Sequence, residues 1–507
     1  MTSWFEAQGI LDKVRQLLAE RSCEGYVVGG YVRDQLLGRA TRDLDLAVRR
    51  EPAELARQVA NRLGGAFVPL GVQHQMARVV LRDRGQLFYI DFTRLRGDCL
   101  ESDLAARDFT INAMAADVQD TDPQPLVIDP HGGRQDLEKG LVRALSDSVF
   151  QDDPVRLLRA VRLAAELGMQ VESHTEELIT RDYYLVIVSS EERARDELCK
   201  TIRTKQAAHS LRYLDRLGML TLLVPEMKPL HGLEQPLPHR QDAFEHSLAT
   251  VQALETLREA LSLMVSGDRA SSVAETVPGE DLWGYAGTVL SPFAARILNR
   301  LQEEVANEHS RLMLLKLAAL LHDLGKATTG KVDEGGRIRF FGHQREGSAL
   351  AARALRRLRF SKGETRLVRT LIRHHMRPLQ LAQEGEVTRR AIYRFFKDVG
   401  DAGVDVLVHS LADNLAVWGA QLDANDWPKL LDTVALLMSK YYEEYDEVIV
   451  PPPLISGNDL IGRLGMKPGP AVGRLLQATQ EAQAAGEVRT REEALLLAQT
   501  LLAEEEK

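Results

Sequence analysis

From about residue 150 to its end the sequence carries helical spacing almost without interruption, whereas before that point alternating stretches and helical stretches take turns. This change of hydrophobic period confines sheet structure to the N-terminal part and requires the rest to bury its apolar stripes helix against helix. The fold class that follows is α+β: a mixed sheet with helices, then all-α domains. A chain of 507 residues exceeds one ordinary core, so several domains are expected. Composition breaks put their limits at 1–140, 141–230, 231–445 and 446–507. The first break is the Pro/Gly-rich "IDPHGGRQDLEKG", and the last is "VIVPPPLISGNDLIG", a proline-rich linker before short C-terminal helices.

Within the first part, residues 4 to 20 read as an amphipathic helix, and "YVVGG" and "LDLAV" as strands with the helix "RDQLLGR" between them. "EPAELARQVANRLGG" is a helix closed by glycines. "ARVVLRDRGQLFYIDFTRLR" reads as a hairpin turning at Asp83 to Gly85. Beyond residue 150, "DDPVRLLRAVRLAAELG" and the serine-capped "SSEERARDELCKTIRT" are helices. Residues 266 to 284 look like an inserted loop. Between Arg193 and Arg216 stand seven Lys/Arg against three Asp/Glu, read as the clearest local excess of positive charge and equally suited to a solvated helix face.

The stretch "GGYVRDQLLGRATRDLDLAV" raises a chemical question. On a strand, positions i and i+2 share a face, so Asp43 and Asp45 present two carboxylates toward one point. Two anions that close cost energy unless a cation sits between them. A hard divalent ion with oxygen ligands, Mg²⁺ above all, fits that need. Asp91 in "YIDFTR" offers a third carboxylate on a strand able to pair beside the first. Gly29 and Gly30 would let backbone N–H groups approach phosphates at a helix start, with Arg33 adding charge. A D-x-D alone suits a solvated surface strand as well; the compound motif is more specific.

That stretch, with "RDFTINAMA" and "DDPVRLLRAVRLAAELG" following in order, resembles the class II tRNA nucleotidyltransferase and bacterial poly(A) polymerase family, within the polymerase β superfamily. The resemblance spans about residues 20 to 225, and "DLIGRLGMKPGPAVGRLL" is similar to its tails. It implies a polymerase β-like catalytic head (1–140) and a helical, base-reading, RNA-binding neck (141–230). Asp43 and Asp45 would be the metal-binding pair, and Asp91 the third acidic strand residue. Arg107 and Asp108 would contact the incoming nucleotide, with Thr110 and Asn112 in support. Asp153 and Arg156 would hydrogen-bond the base edge, where fixed acceptors and donors can complement C and A. For the isolated stretch, a helix cap with an i,i+3 ion pair is the plainer reading of those two. The chain departs from the family in Ala106, where a first arginine is usual, and in Asp152, where a glutamate is common. Only "RLRGDCLESDLA" separates the Asp91 strand from Arg107, where members that add the terminal A carry a longer basic loop. The short segment points toward CC addition, with addition of C and/or A left open.

A second constellation is spread over the helices. His246, the adjacent His322 and Asp323, His343, His375 and Asp413 occur in the order H…HD…H…H…D. Imidazoles and carboxylates on different helices can converge on one or two divalent metals. This order resembles the HD-domain metal phosphohydrolases and implies an HD domain over 231–445, with a tail over 446–507. By that resemblance His246, His322, Asp323 and Asp413 bind a first metal, a divalent transition metal of unspecified identity. His343 and His375 fit a second, with His374 an equally available neighbour. Metal binding does not by itself imply turnover.

The expected function is template-independent addition of C and/or A to tRNA 3′ ends from CTP and ATP with Mg²⁺. Poly(A) polymerase is the near alternative. An HD phosphohydrolase acting on nucleotides or 2′,3′-cyclic phosphates is the alternative of another class. A formal charge of −9 argues against a generally basic nucleic-acid binder, though not against a local basic patch. Cys23, Cys99 and Cys199 are widely spaced and form no CxxC pair, which fits a reducing cytosol. No basic and apolar leader opens the chain, and no stretch approaches the roughly 20 apolar residues that span a bilayer, so a cytoplasmic protein with no membrane partner is expected.

Overall fold

The computed structural model describes residues 8–505 apart from 71–75, 84–85, 98, 123–124, 267–279, 307 and 419–424. Two compact units divide the chain, Met1–Ser189 and Ser190–Lys507.

The first unit holds helices α1 (Gln8–Glu20), α2 (Gly30–Leu36) and α3 (Pro52–Leu63) and strands β1 (Gly25–Val28), β2 (Asp43–Val48), β3 (Ala66–Leu70), β4 (Met76–Asp83), β5 (Gln86–Arg94), β6 (Ala115–Asp117) and β7 (Val127–Ile128). The sheet order is β3-β4-β5-β2-β1-β6-β7. Only β2 and β5 pair in parallel; the other neighbours are antiparallel. Alternation along the strands decides what each face does. Leu44 and Leu46, Val79 and Leu81, and Ile90 and Phe92 join Leu11, Val14 and Leu18 of α1 and Leu55 and Val59 of α3 in one buried cluster. Burying each such side chain contributes about 1.5–3 kcal/mol. Because successive residues face opposite ways, the intervening Asp43, Asp45, Arg78 and Asp91 are left on the other face. The expected hairpin is present, with Asp83 opposite Gln86; its turn residues 84–85, and residues 4–7 of the expected first helix, lie outside the described residues.

The helix expected in "DDPVRLLRAVRLAAELG", read with aspartate caps and a terminal glycine, is present, and a separate short helix precedes it. A short helix, Val149–Asp152, ends at Asp153, whose backbone is extended, and α4 (Arg156–Leu167) starts anew and closes on Gly168 with φ 69°. Pro154 explains the break, since it removes an N–H and biases the residue before it toward extended backbone.

In the second unit, α5 (Glu191–Arg203) has Ser190 as its N-cap, accepting from the N–H of Arg193. The helices that follow include α6 (Ala243–Ser266), α7 (Arg311–Leu321), α8 (His343–Arg357), α9 (Lys362–His374) and α10 (Gly403–Trp418). Helix α6 packs on α7 and α10, and α9 on α7 and α8. Of the expected inserted loop, residues 267–279 lie outside the described residues, Ser266 ends α6, and 280–284 belong to the helix Glu280–Leu290. After the prolines at 451–453, helices Gly457–Leu464, Pro470–Ala484 and Arg491–Glu505 share a hydrophobic cluster of their own. No helix among the described residues is long and apolar enough to cross a membrane.

Candidate active site and metal centre

On the polar face of the sheet one row of side chains runs across three strands. Asp45 on β2 lies directly opposite Asp91 on β5, and Asp91 lies opposite Arg78 on β4. Arg78 donates from Nε and Nη2 to the two oxygens of Asp91, 2.7 Å each. Asp43, two residues before Asp45, is opposite Tyr89 and exposed. Burial, then the neighbouring charges of Asp91 and Asp43, push the Asp45 carboxyl up to about 7. An acid under that pressure is one that a bound cation would relieve, but the expected trio does not gather into one ligand group among the described residues, since Arg78 holds both oxygens of Asp91 and leaves Asp43 and Asp45 to a cation.

The glycine turn adjoins this row. Gly29 has φ 72°, and a Cβ built there would stand 2.8 Å from Arg107 Nη1 and 3.6 Å from Asp45 Oδ2. Its lack of a side chain is what admits the guanidinium beside the carboxylate. Arg107 is held by Asp103, which accepts from its Nε and Nη2 at 3.1 and 2.9 Å. Gly30 opens α2. Arg33, by contrast, is only 6% exposed and donates to Asp34 and to Asn112 Oδ1 (2.9 and 2.8 Å). Its charge is spent inside the protein.

Asn112 continues that chain by donating to Asp108 at 3.1 Å, and Asp108 accepts from Arg159 of α4 at 2.9 Å. Burial opposes ionisation of Asp108, yet Arg159 and the bonds from Asn112 and the Phe109 N–H hold it below the usual carboxylate range. Thr110 points instead to Asp136, 2.7 Å away. Asp153 and Arg156 are neighbours but not a tight pair, at 3.9 Å. Arg156 donates to the carbonyls of Ala106 and Val149 (3.1 and 3.4 Å), and its Nε has no hydrogen-bond partner.

In the second unit the six expected ligands meet at one cavity of about 850 Å³. His322 follows α7 directly, His343 opens α8, His375 ends α9, and His246 and Asp413 lie on α6 and α10. A Cβ on Gly325 would overlap the carbonyl of His343, so a glycine there allows α8 to start against the His-Asp turn. In three histidines Nδ1 donates to the carbonyl three residues back: His322 to Ala319 (2.9 Å), His343 to Phe340 (2.8 Å) and His375 to Ile372 (2.7 Å). That turns each Nε2 toward the cluster, the atom a metal ligand must offer; without an ion, and against its burial, Asp323 and Asp413 push His322 up to about 10. Asp323, fully buried, lies 3.3 Å from His322 Nε2 and 3.7 Å from His343 Nε2, while Asp413 lies 2.9 Å from His246 Nε2. Two ligand groups are close enough to hold an ion each: His246, His322 and Asp413, and His322, Asp323 and His375. His343 adjoins the second, its Nε2 3.5 Å from that of His375. It is His375, not His374, that lines the cavity.

Sequence reasoning missed several participants. Lys326, three residues after Asp323, is ion-paired with it at 2.6 Å. His409, one turn before Asp413, is buried beside His322 and His375 with neither ring nitrogen hydrogen-bonded. His239 stacks edge-on against His246 in the cavity wall. The i,i+3 and i,i+4 spacings of Lys326 and His409 were readable; His239 and Arg78 gave no local signal.

Residues 25–143 match the family described as Poly A polymerase head domain, 168–230 the probable RNA and SrmB-binding site of polymerase A, and 293–418 the HD domain. The chain is 33% identical over 477 residues to the CC-adding tRNA nucleotidyltransferase of Thermus thermophilus, covering 93% of this chain and 92% of that one. It is 32% identical over 478 residues to the A-adding tRNA nucleotidyltransferase of Deinococcus radiodurans, covering 92% and 93%. In fold it is similar to a CCA-adding enzyme solved with CTP, with a TM-score of 0.59 at 22% identity over 97% of this chain and 96% of that one. Nucleotidyltransferase heads and HD domains generally use divalent metals, in keeping with both acidic clusters.

Proposed function

The chain belongs to the tRNA nucleotidyltransferase family, and from that premise we propose that it adds C and/or A to the 3′ end of tRNA from CTP and ATP, without a nucleic-acid template. One observation carries the reading to this chain's own residues: Asp45 and Asp91 stand directly opposite each other on adjacent parallel strands, with Gly29 and Arg107 against Asp45. In the reaction the RNA 3′-hydroxyl attacks the α-phosphate in line, the bond to the β-phosphate breaks and pyrophosphate leaves. Asp43 and Asp45 would hold Mg²⁺, with Asp91 beside them; the ion, when bound, lowers the pKa of the attacking hydroxyl and neutralises the triphosphate. Arg78 keeps Asp91 aimed through bonds to both of its oxygens. Arg107, braced by Asp103, offers a guanidinium to the phosphates next to the glycine turn. The Arg33–Asn112–Asp108–Arg159 chain orders the residues beside the incoming nucleotide. Asp153 and Arg156 read the base edge, Arg156 with a free Nε donor. The neck and tail grip tRNA by its backbone shape, in the cytoplasm.

The test is end addition on tRNAs ending before C74, before C75 and before A76, given each NTP separately. Relatives at 33% and 32% identity carry CC-adding and A-adding names, so the assay also identifies the base added. Purified protein that incorporates no NTP into any of the three refutes the reading, and preference for ATP on unstructured RNA would make it a poly(A) polymerase instead. Gly29→Ala is expected to lower CMP or AMP incorporation about tenfold or more, because displacing Arg107 by the new methyl removes a charge contact, and 1.4 kcal/mol is a factor of ten. Strain at φ 72° adds about 1–3 kcal/mol of destabilisation, visible as a lower Tm. Wild-type rates in that variant would separate the turn from the chemistry.

The three Nε2 atoms turned toward the cluster with Asp323 and Asp413 favour a second activity: metal-dependent hydrolysis of phosphate esters, nucleotides or 2′,3′-cyclic phosphates among them. The ion is a divalent transition metal, given imidazole ligands, and when bound it would supply a hydroxide at neutral pH.

A further inference from the structure

Helices α8 and α9, whose ends carry His343 and His375, also line a basic groove. From His343 to His374 the sequence carries nine Lys/Arg against two Asp/Glu, an excess greater than that of the 193–216 run. In the earlier run two of the seven cations are ion-paired, Arg195 with Asp196 and Arg212 with Glu245. The later run differs. Arg357 pairs with Glu226, but Arg353, Arg356, Lys362, Arg366 and Arg369 are all exposed, and no ion-pair partner within 4 Å serves any of them among the described residues. These five edge a cavity of about 530 Å³ whose one acidic lining residue is Glu346. The other acid of the run, Glu364, is fully buried and engaged with His309 and the Ser361 N–H.

Spacing places the cations on two facing walls. Arg353 and Arg356 are i,i+3 on α8, and Lys362, Arg366 and Arg369 follow at four and three residues on α9, so each set shares a helix face. The second set spans about 10 Å at 1.5 Å per residue. Thr365, between them and 8% exposed, lines the groove with a hydroxyl that has no hydrogen-bond partner. Five like charges left unpaired around one buried donor repel each other unless an anion spans them. Four of the five are arginines, whose planar forks match phosphate oxygens in pairs. In a chain of net charge −9, a polyanion can be held only where the sign is locally reversed.

We propose that the α8–α9 groove seats the phosphate backbone of tRNA, held by charge and shape and not by base sequence; the choice of RNA rests on the tRNA reading above. Binding of labelled tRNA to the full-length protein, followed by anisotropy across a salt series, tests it. In the variant Arg353→Ala/Arg366→Ala/Arg369→Ala, affinity at about 0.1 M salt should fall at least about tenfold. The slope of log K against log salt should shrink by about 2 to 3, at roughly 0.7–0.9 per lost phosphate contact. The variant with lysine at the same three positions should keep the slope and most of the affinity. Unchanged affinity and slope in the alanine variant overturn the proposal. So does a lysine variant as weak as the alanine one, since charge would then not be the cause. Unchanged tRNA binding with loss of polyglutamate binding would give the groove to an acidic protein and overturn it equally. Binding is read without turnover, so a wild type that adds no nucleotide yet shows the groove-dependent slope refutes the enzymatic reading alone.

Discussion

Asp45→Asn is expected to reduce CMP and AMP incorporation at least about a thousandfold, some 4 kcal/mol of transition-state stabilisation, while making the metal-free protein more stable above neutral pH. Both effects have one origin. Asp45 shares its face of the sheet with Asp43 and Asp91, and Arg78 is committed to Asp91. Burial and the two neighbouring carboxylates therefore raise the Asp45 carboxyl to about 7. A folded-state value above the unfolded one means that this group favours folding while protonated. Its contribution is fully present below the ordinary carboxylate range and is lost as pH rises toward and through about 7. In EDTA, then, wild-type Tm should fall between pH 5 and pH 8 by more than that of Asp45→Asn, whose amide has no charge to lose. Divalent metal should narrow the gap by stabilising wild type at pH 8 and the variant much less. More than a tenth of wild-type incorporation in the variant, or identical pH profiles in EDTA, would refute the account.

How far the sequence could be read depends on the range of the interaction. Asp43 and Asp45 declare a shared face through two-residue alternation alone, and Leu44 and Leu46 declare the opposite face by the same rule. Arg78 does not, because its meeting with Asp91 depends on a hairpin register that only the folded sheet fixes. Among the histidines, order along the chain was enough to nominate six cavity residues, since helices bring widely separated positions together. Choosing His375 over His374 needed the orientation of the last turn of α9. Charge runs were the least legible. The run at 193–216 stood out first, although 343–374 carries the larger excess by count; Arg195 and Arg212 are paired with Asp196 and Glu245, whereas five cations without ion-pair partners line one cavity at 353–369. Pro154 and the aspartates before it marked where α4 starts, but not the separate short helix Val149–Asp152 ahead of it.

His322→Ala is expected to empty the second centre while sparing nucleotide addition. His322 belongs to both ligand groups, its Nε2 lying 3.3 Å from Asp323 and 3.5 Å from Asp413, so its removal takes a donor from whichever group holds the ion. Bound divalent metal, measured by elemental analysis after gel filtration, should fall from near-stoichiometric to below about a tenth. Hydrolysis of a 2′,3′-cyclic nucleotide should fall at least about a hundredfold, close to 3 kcal/mol, with CMP or AMP incorporation into tRNA within twofold of wild type. Asp323→Ala is a poorer probe: it would leave the buried Lys326 ammonium without the carboxylate 2.6 Å away, and breaking a buried pair costs about 3–5 kcal/mol. Its Tm should accordingly drop further than that of His322→Ala, which leaves the Ala319 carbonyl without its donor, at about 1–3 kcal/mol, and takes an imidazole from Asp323 and Asp413 while Lys326 stays paired with Asp323. The comparison separates ligation from folding. Full metal content in His322→Ala would mean that the ion, if bound, sits elsewhere. Loss of nucleotide addition together with metal would mean that the histidine cluster supports the whole chain's activity, and the assignment of two independent chemistries would fail.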